Sequence, residues 1–123
     1  MQLTIDRAWL LEIAQQRLPA DPQISDWGST GAAVARHADE VMGVPVYTEP
    51  HHRAAALFQS LLRIPALEHS NEIFALSVAS GFLRACGLTV TVSSKETADL
   101  VEQTLAGTAD VRQIAATLKD WAG

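Results

Sequence analysis

Apolar residues recur along this chain at helical spacing, in blocks separated by prolines, glycines and capping residues. Asp6 has the chemistry of an N-cap. Behind it Trp9, Leu10, Ile13 and Ala14 form one stripe, which predicts a helix from Arg7 to Leu18, stopped by Pro19. Residues 19–28 read as a loop. Ser29 or Thr30 then opens a second, short helix with Val34, Ala38 and Val41 on one side and Gly43 as its end. Val44-Pro45-Val46-Tyr47 is extended, and Pro45 limits it to an edge strand because it offers no ladder donor. Pro50 suits the first turn of a third helix, whose buried face is Ala54, Leu57, Phe58, Leu61 and Leu62 and whose stop is Pro65.

After a turn over residues 65–70, a fourth helix is predicted from Asn71 to Cys86, with Gly87 as its C′ residue. Its apolar residues cover nearly every side, the pattern of a helix in the middle of a bundle, and Ser77, Ser80 and Gly81 let neighbours approach closely. Leu88 to Val92 alternates like a strand, with only Val44–Tyr47 as a weak partner. Ser93 and Glu96 make a capping box for a fifth helix reaching Leu105, and Gly107 closes it. Asp110 caps a sixth, which carries Val111, Ile114, Ala115, Leu118 and Trp121. The expected fold is all-α: one domain over residues 1–123, about six helices around a central apolar helix, with at most a short β-hairpin.

Composition narrows the functional classes. The 123 residues suit a single domain that buries a core without staples, and 48% hydrophobic residues argue against disorder. A net charge of −5 argues against broad binding to nucleic acid or an anionic membrane, which needs a basic face. Cys86 stands alone, which rules out an internal disulfide and fits a reducing compartment. The first residues lack the basic-then-apolar pattern of a signal peptide, and no stretch approaches the ~20 apolar residues that span a bilayer. The chain is read as cytoplasmic. Its expected partner is a protein, and a homo-oligomer is compatible with the sequence.

Motifs for standard chemistry are missing. No Gly-x-Ser-x-Gly, phosphate loop or dinucleotide fingerprint occurs. His37, His51, His52 and His69 have no H-x-x-x-H spacing; His51 and His52 are neighbours that point about 100° apart on a helix, so no metal site is expected. Cys86 reads as a buried helix-end thiol. Trp9 reads as core. Trp27 and Trp121 are open to two readings, an exposed interface anchor or packing over the bundle end.

One run carries more information: Ala75-Leu76-Ser77-Val78-Ala79-Ser80-Gly81-Phe82-Leu83-Arg84-Ala85-Cys86-Gly87-Leu88-Thr89-Val90. With Ala98-Asp99-Leu100 and Ile114-Ala115-Ala116-Thr117-Leu118 further on, it resembles the Fic/Doc family, its Doc-like branch in particular. The resemblance implies a helical scaffold and a signature loop just before the central helix, and it places Val44–Tyr47 where the family has a flap that holds a target segment by strand addition; read from its residues alone, that run is as well a simple connector. Active members move a phosphate or nucleotidyl group from a nucleotide to a hydroxyl of a target protein, a translation elongation factor in the Doc-like branch.

The signature runs His, Phe, an acidic residue, Gly-Asn, then a basic pair ending in Arg. Matching the central helices puts Pro65 at the His position, Leu67 at Phe, His69 at the acidic position and Ser70 at Gly. Asn71 matches Asn, and Glu72 and Ile73 stand where the basic pair belongs. Proline accepts no proton. A helix N-terminus attracts anions, but Glu68 and Glu72 bring like charge to it while suiting the helix end themselves, at about 0.3–1 kcal/mol each.

The expectation is therefore a degenerate Doc-like toxin component. It lacks transferase activity, needs no cofactor and acts by binding a protein, most plausibly a cognate antitoxin. Val46, Tyr47 and Trp27 are its candidate contacts. The alternative is a divergent transferase that uses ATP with magnesium at the loop Leu67, Glu68, His69, Ser70, Asn71, Glu72, with His69 and Asn71 as working residues.

Overall fold

Capping chemistry sets most helix starts. In the computed structural model, which describes residues 3–18, 22–91 and 93–121, Asp6 Oδ1 accepts from the Trp9 N–H at 2.9 Å and opens α1 (Arg7–Arg17). Pro19, expected as its stop, lies outside the described residues. The second helix, α2 (Trp27–His37), starts earlier than predicted. Asp26 caps it, accepting from the Ser29 N–H at 3.1 Å. Ser29 and Thr30 are buried inside it instead, where their hydroxyls donate to the carbonyls of Ile64 and Trp27.

The second helix also ends sooner than predicted. Val41 is not on it: β1 (Glu40–Val41) pairs antiparallel with β2 (Val44–Pro45), Glu40 opposite Pro45 and Val41 opposite Val44. Met42 (φ 52°) and Gly43 (φ 81°) make the two-residue turn, both left-handed as a primed hairpin turn requires. Gly43 thus turns a hairpin rather than closing a helix. The expected strand from Leu88 to Val92 does not form over its described part. Leu88 and Val90 pack on the core, and the Thr91 N–H bonds the Trp121 carbonyl at 3.1 Å; Val92 lies outside the described residues.

The unit made of α3 (Pro50–Arg63), the following loop and α4 (Asn71–Ala85) forms the centre. Pro50 opens α3, where its missing N–H costs nothing. Every residue from Arg53 to Gln59 is buried, because α3 packs against α2, α4, α5 (Ser94–Ala106) and α6 (Val111–Trp121). The fourth helix packs on α3 and α1. Gly81 lets α1 approach, since a Cβ there would lie 3.3 Å from Trp9 Cη2. The helix ends in a Schellman motif: Leu88 N–H bonds Leu83 O at 2.9 Å and Gly87 N–H, at φ 87°, bonds Arg84 O at 3.0 Å. Ser93 caps α5 through the Glu96 N–H at 3.2 Å. At α6, Asp110 and Gln113 cap reciprocally at 2.9 and 2.8 Å. No helix among the described residues is long and apolar enough to cross a membrane.

The core is continuous, with Phe58, Phe74, Phe82, Leu57 and Leu61 fully buried. Trp121 packs inside, Trp9 is half-buried, and Trp27 is 48% exposed. His37 is not a surface histidine. Its Nε2 accepts from the Ile5 N–H at 3.1 Å, its Nδ1 faces the Val34 carbonyl, and its ring meets Phe82 edge-on at 5.9 Å. That network fixes a neutral imidazole with its proton on Nδ1.

Burial holds the His37 pKa below the ordinary 6.5; the Val34 carbonyl opposes this and the Arg53 charge adds to it. The folded state therefore binds this proton less tightly than the unfolded chain. Stability is fully present above pH 6.5 and falls as pH drops below it, by at most about 1.4 kcal/mol per pH unit from this group. His51, lowered chiefly by burial, works in the same direction. Urea unfolding at pH 7.5 and 5.5 is expected to show the loss, and His37→Gln is expected to shrink it. An equal loss in the variant would remove His37 as a source.

Candidate functional site

The loop between α3 and α4 is built from inward-facing bonds. Pro65 sits exposed past the end of α3, and Ala66 and Leu67 turn into the core. The segment before α2 lies antiparallel to them. Ile24 bridges Leu67, the Ser25 and Asp26 N–H groups reach the Ala66 carbonyl at 2.8 and 3.0 Å, and the Glu68 N–H bonds Gln23 O at 3.1 Å. The Glu68 carboxylate accepts from the Gln23 N–H at 3.1 Å, so it clips this segment.

Asn71 holds the loop together. Its Oδ1 accepts from the Ala66 N–H at 3.1 Å and the Leu67 N–H at 2.9 Å, and its Nδ2 donates to the Leu67 carbonyl at 2.9 Å. Ser70 sits between, at φ 65°, a left-handed conformation that glycine adopts without strain. The position matched to the signature glycine thus keeps a backbone suited to glycine. The Ser70 hydroxyl makes no cap bond to α4; it lies 2.8 Å from His69 Nδ1.

The sequence candidates are therefore in one loop but divided in role. His69 faces solvent beside Ser70, while Asn71 bonds inward, and no hydrogen bond joins the two among the described residues. Ser70, Asn71, Glu72 and Ile73 line a shallow cavity of about 290 Å³ at the start of α4, with Glu72 its one charged side chain. That helix end could draw an anion through its free N–H groups, but Glu72 stands in its first turn and no basic side chain lines the cavity. No three His, Cys, Asp or Glu side chains cluster for a metal among the described residues. Cys86 is half-buried, and burial raises its thiol pKa against the opposing charge of Arg53, which leaves it a poor nucleophile.

Positive charge collects elsewhere. Arg36 and Arg63 line a cavity of about 480 Å³ between α2 and α3, with Gln59 and Ser60. Arg36 donates to the Ser60 hydroxyl at 3.0 Å and to the Tyr47 hydroxyl at 3.3 Å, and its guanidinium lies 5.9 Å from the Tyr47 ring centre. Tyr47 is thus tied back to α2, whereas Val46 and Trp27 remain exposed. The hairpin turn adds Met42, which is 98% exposed. Sequence reasoning missed the Arg36–Tyr47 pairing because the residues sit on separate elements with no shared periodicity.

No protein-family model matches the chain. Among curated proteins, a Toxin Doc of Mycolicibacterium smegmatis is 32% identical over 120 residues, which cover 96% of this chain and 92% of that protein.

Proposed function

The chain belongs to the Doc-like toxin family, and from that we propose that it is the toxin component of a toxin–antitoxin module that has lost nucleotide transfer and acts through protein contacts. One observation supports the loss above all: the single polar signature position that is kept, Asn71, has both ends of its amide engaged by the loop's own backbone. A phosphate approaching α4 meets Glu72 and no cation. Pro65, at the position of the general base, takes no proton. In this reading the partner is a cognate antitoxin, and Trp27 and Val46 are candidate contacts.

The second reading is a divergent transferase acting with ATP and magnesium. The left-handed Ser70 favours it, because the position matched to the signature glycine keeps a backbone suited to glycine, and exposed His69 stands beside it as the available base. Titration calorimetry with ATP and Mg²⁺ separates the two. We expect no heat at millimolar ATP. Micromolar binding that His69→Ala abolishes would sink the first reading. A ligand at 100 times its Kd would also raise unfolding free energy by about 2.7 kcal/mol, so thermal melts give a second check.

A further inference from the structure

We propose that the cavity between α2 and α3 is a binding site for a small dicarboxylate, one carboxylate on Arg36 and the other on Arg63. The site stands apart from the loop of residues 66–73, none of which lines it. The proposal does not depend on the toxin reading.

Unused donors converge on this cavity. Gln59 lines it and is only 8% exposed, yet its amide makes no hydrogen bond among the described residues. A buried amide without a partner costs stability unless something else supplies one. The Ser60 hydroxyl accepts from Arg36 and keeps its own proton free. Arg36 spends two of its N–H groups on Ser60 and Tyr47 and has others to give. The Arg63 guanidinium has no partner among the described residues. A cation in a last helical turn suits the helix end, which accounts for Arg63 but not for Gln59 behind it.

Charge and size choose the ligand. The chain has 14 Asp and Glu against 9 Lys and Arg, so an arginine seldom lacks an acidic neighbour. Here two arginines share a cavity that no acidic side chain lines. A ligand made of acceptors and carrying two negative charges satisfies the donors and the cations together. The guanidinium fork matches a carboxylate through two parallel hydrogen bonds, and each arginine sits on its own helix, so each takes one carboxylate. The cavity of about 480 Å³ falls in the range of small-molecule sites, about 300–1,000 Å³. Its lining also includes Ala32 and Ile64, apolar surface that a short hydrocarbon stem covers and a bare inorganic anion leaves wet.

The test is titration calorimetry of the full chain at constant ionic strength with succinate, glutarate and adipate, and with acetate and inorganic phosphate for comparison. At least one of the three dicarboxylates is expected to bind about tenfold more tightly than acetate or phosphate, a difference of about 1.4 kcal/mol. Arg63→Gln, at an exposed position, is expected to weaken that binding about tenfold, and Arg36→Gln to do the same. Arg63→Lys keeps the charge but not the fork and is expected to fall between. Arg17→Gln removes the same charge from α1, outside the cavity, and is expected to change nothing. Acetate or phosphate binding as tightly as the best dicarboxylate would overturn the proposal. So would the absence of heat from all three at millimolar concentration, or an equal loss in Arg17→Gln. ATP that displaces the bound dicarboxylate and is itself weakened by Arg63→Gln would also overturn it, since the cavity would then belong to a nucleotide.

Discussion

Asn71→Ala is expected to lower the unfolding free energy by about 3 kcal/mol, read as a fall in the urea midpoint at unchanged slope. The side chain accepts from two backbone N–H groups, of Ala66 and Leu67, and both residues are buried. Truncation leaves those donors without a partner, at about 1–3 kcal/mol each, and frees the Leu67 carbonyl as well. Asn71→Asp keeps the acceptor and loses the donor, so it is expected to fall between. An alanine variant as stable as the parent would mean that Asn71 is held ready for a ligand instead, which would revive the transferase reading.

Arg53→Met is expected to act in the opposite sense and raise stability by about 2 kcal/mol, or roughly 8 °C in Tm. Arg53 is 3% exposed, and its Nε and Nη1 have no hydrogen-bond partner among the described residues. Its guanidinium lies 6.0 Å from the Phe82 ring centre, a contact that offsets part of the burial but satisfies no donor. Methionine fills a similar length with no polar atom to desolvate. The charge also presses down the His37 and Cys86 pKa values. Its removal is therefore expected to weaken the loss of stability below pH 6.5 as well. A drop in Tm, measured by calorimetry, would show that the cation over the ring outweighs its unpaired donors.

Local chemistry was legible wherever it acted alone. Asp6, Ser93 and Asp110 cap the helices they were expected to cap, because each bonds an N–H three residues ahead. The start of α2 was expected at Ser29 or Thr30, but Ser29 turns to the Ile64 carbonyl across the fold and Thr30 to the Trp27 carbonyl of its own helix, and Asp26 is the cap. The hairpin was hidden because Met42 is a poor residue for a left-handed turn position, so nothing marked a turn ahead of Gly43. The alternation of Leu88 and Val90 reflects packing of one side on the core and needs no paired strand. Arg53 and His37 gave no sign of their burial. A polar first turn normally faces water, and only the central place of α3, set by long-range packing, encloses it.

For the candidate site, the sequence pointed to the loop before the apolar fourth helix, and in the structure those residues form the connection between α3 and α4. It did not show that Asn71 and Glu68 turn inward, since both bond backbone that only the folded chain brings near.

The hairpin has a consequence for colloidal behaviour. Two strands that present Val41, Met42, Val44 and Val46 to solvent are the kind of ribbon on which further chains stack edge to edge. Here the stacking edge is only two residues long on each side. Pro45 offers no N–H to an incoming strand, and Glu40 places a charge directly across from it. The ribbon therefore exposes apolar side chains while leaving little backbone edge on which a further strand could extend the ladder.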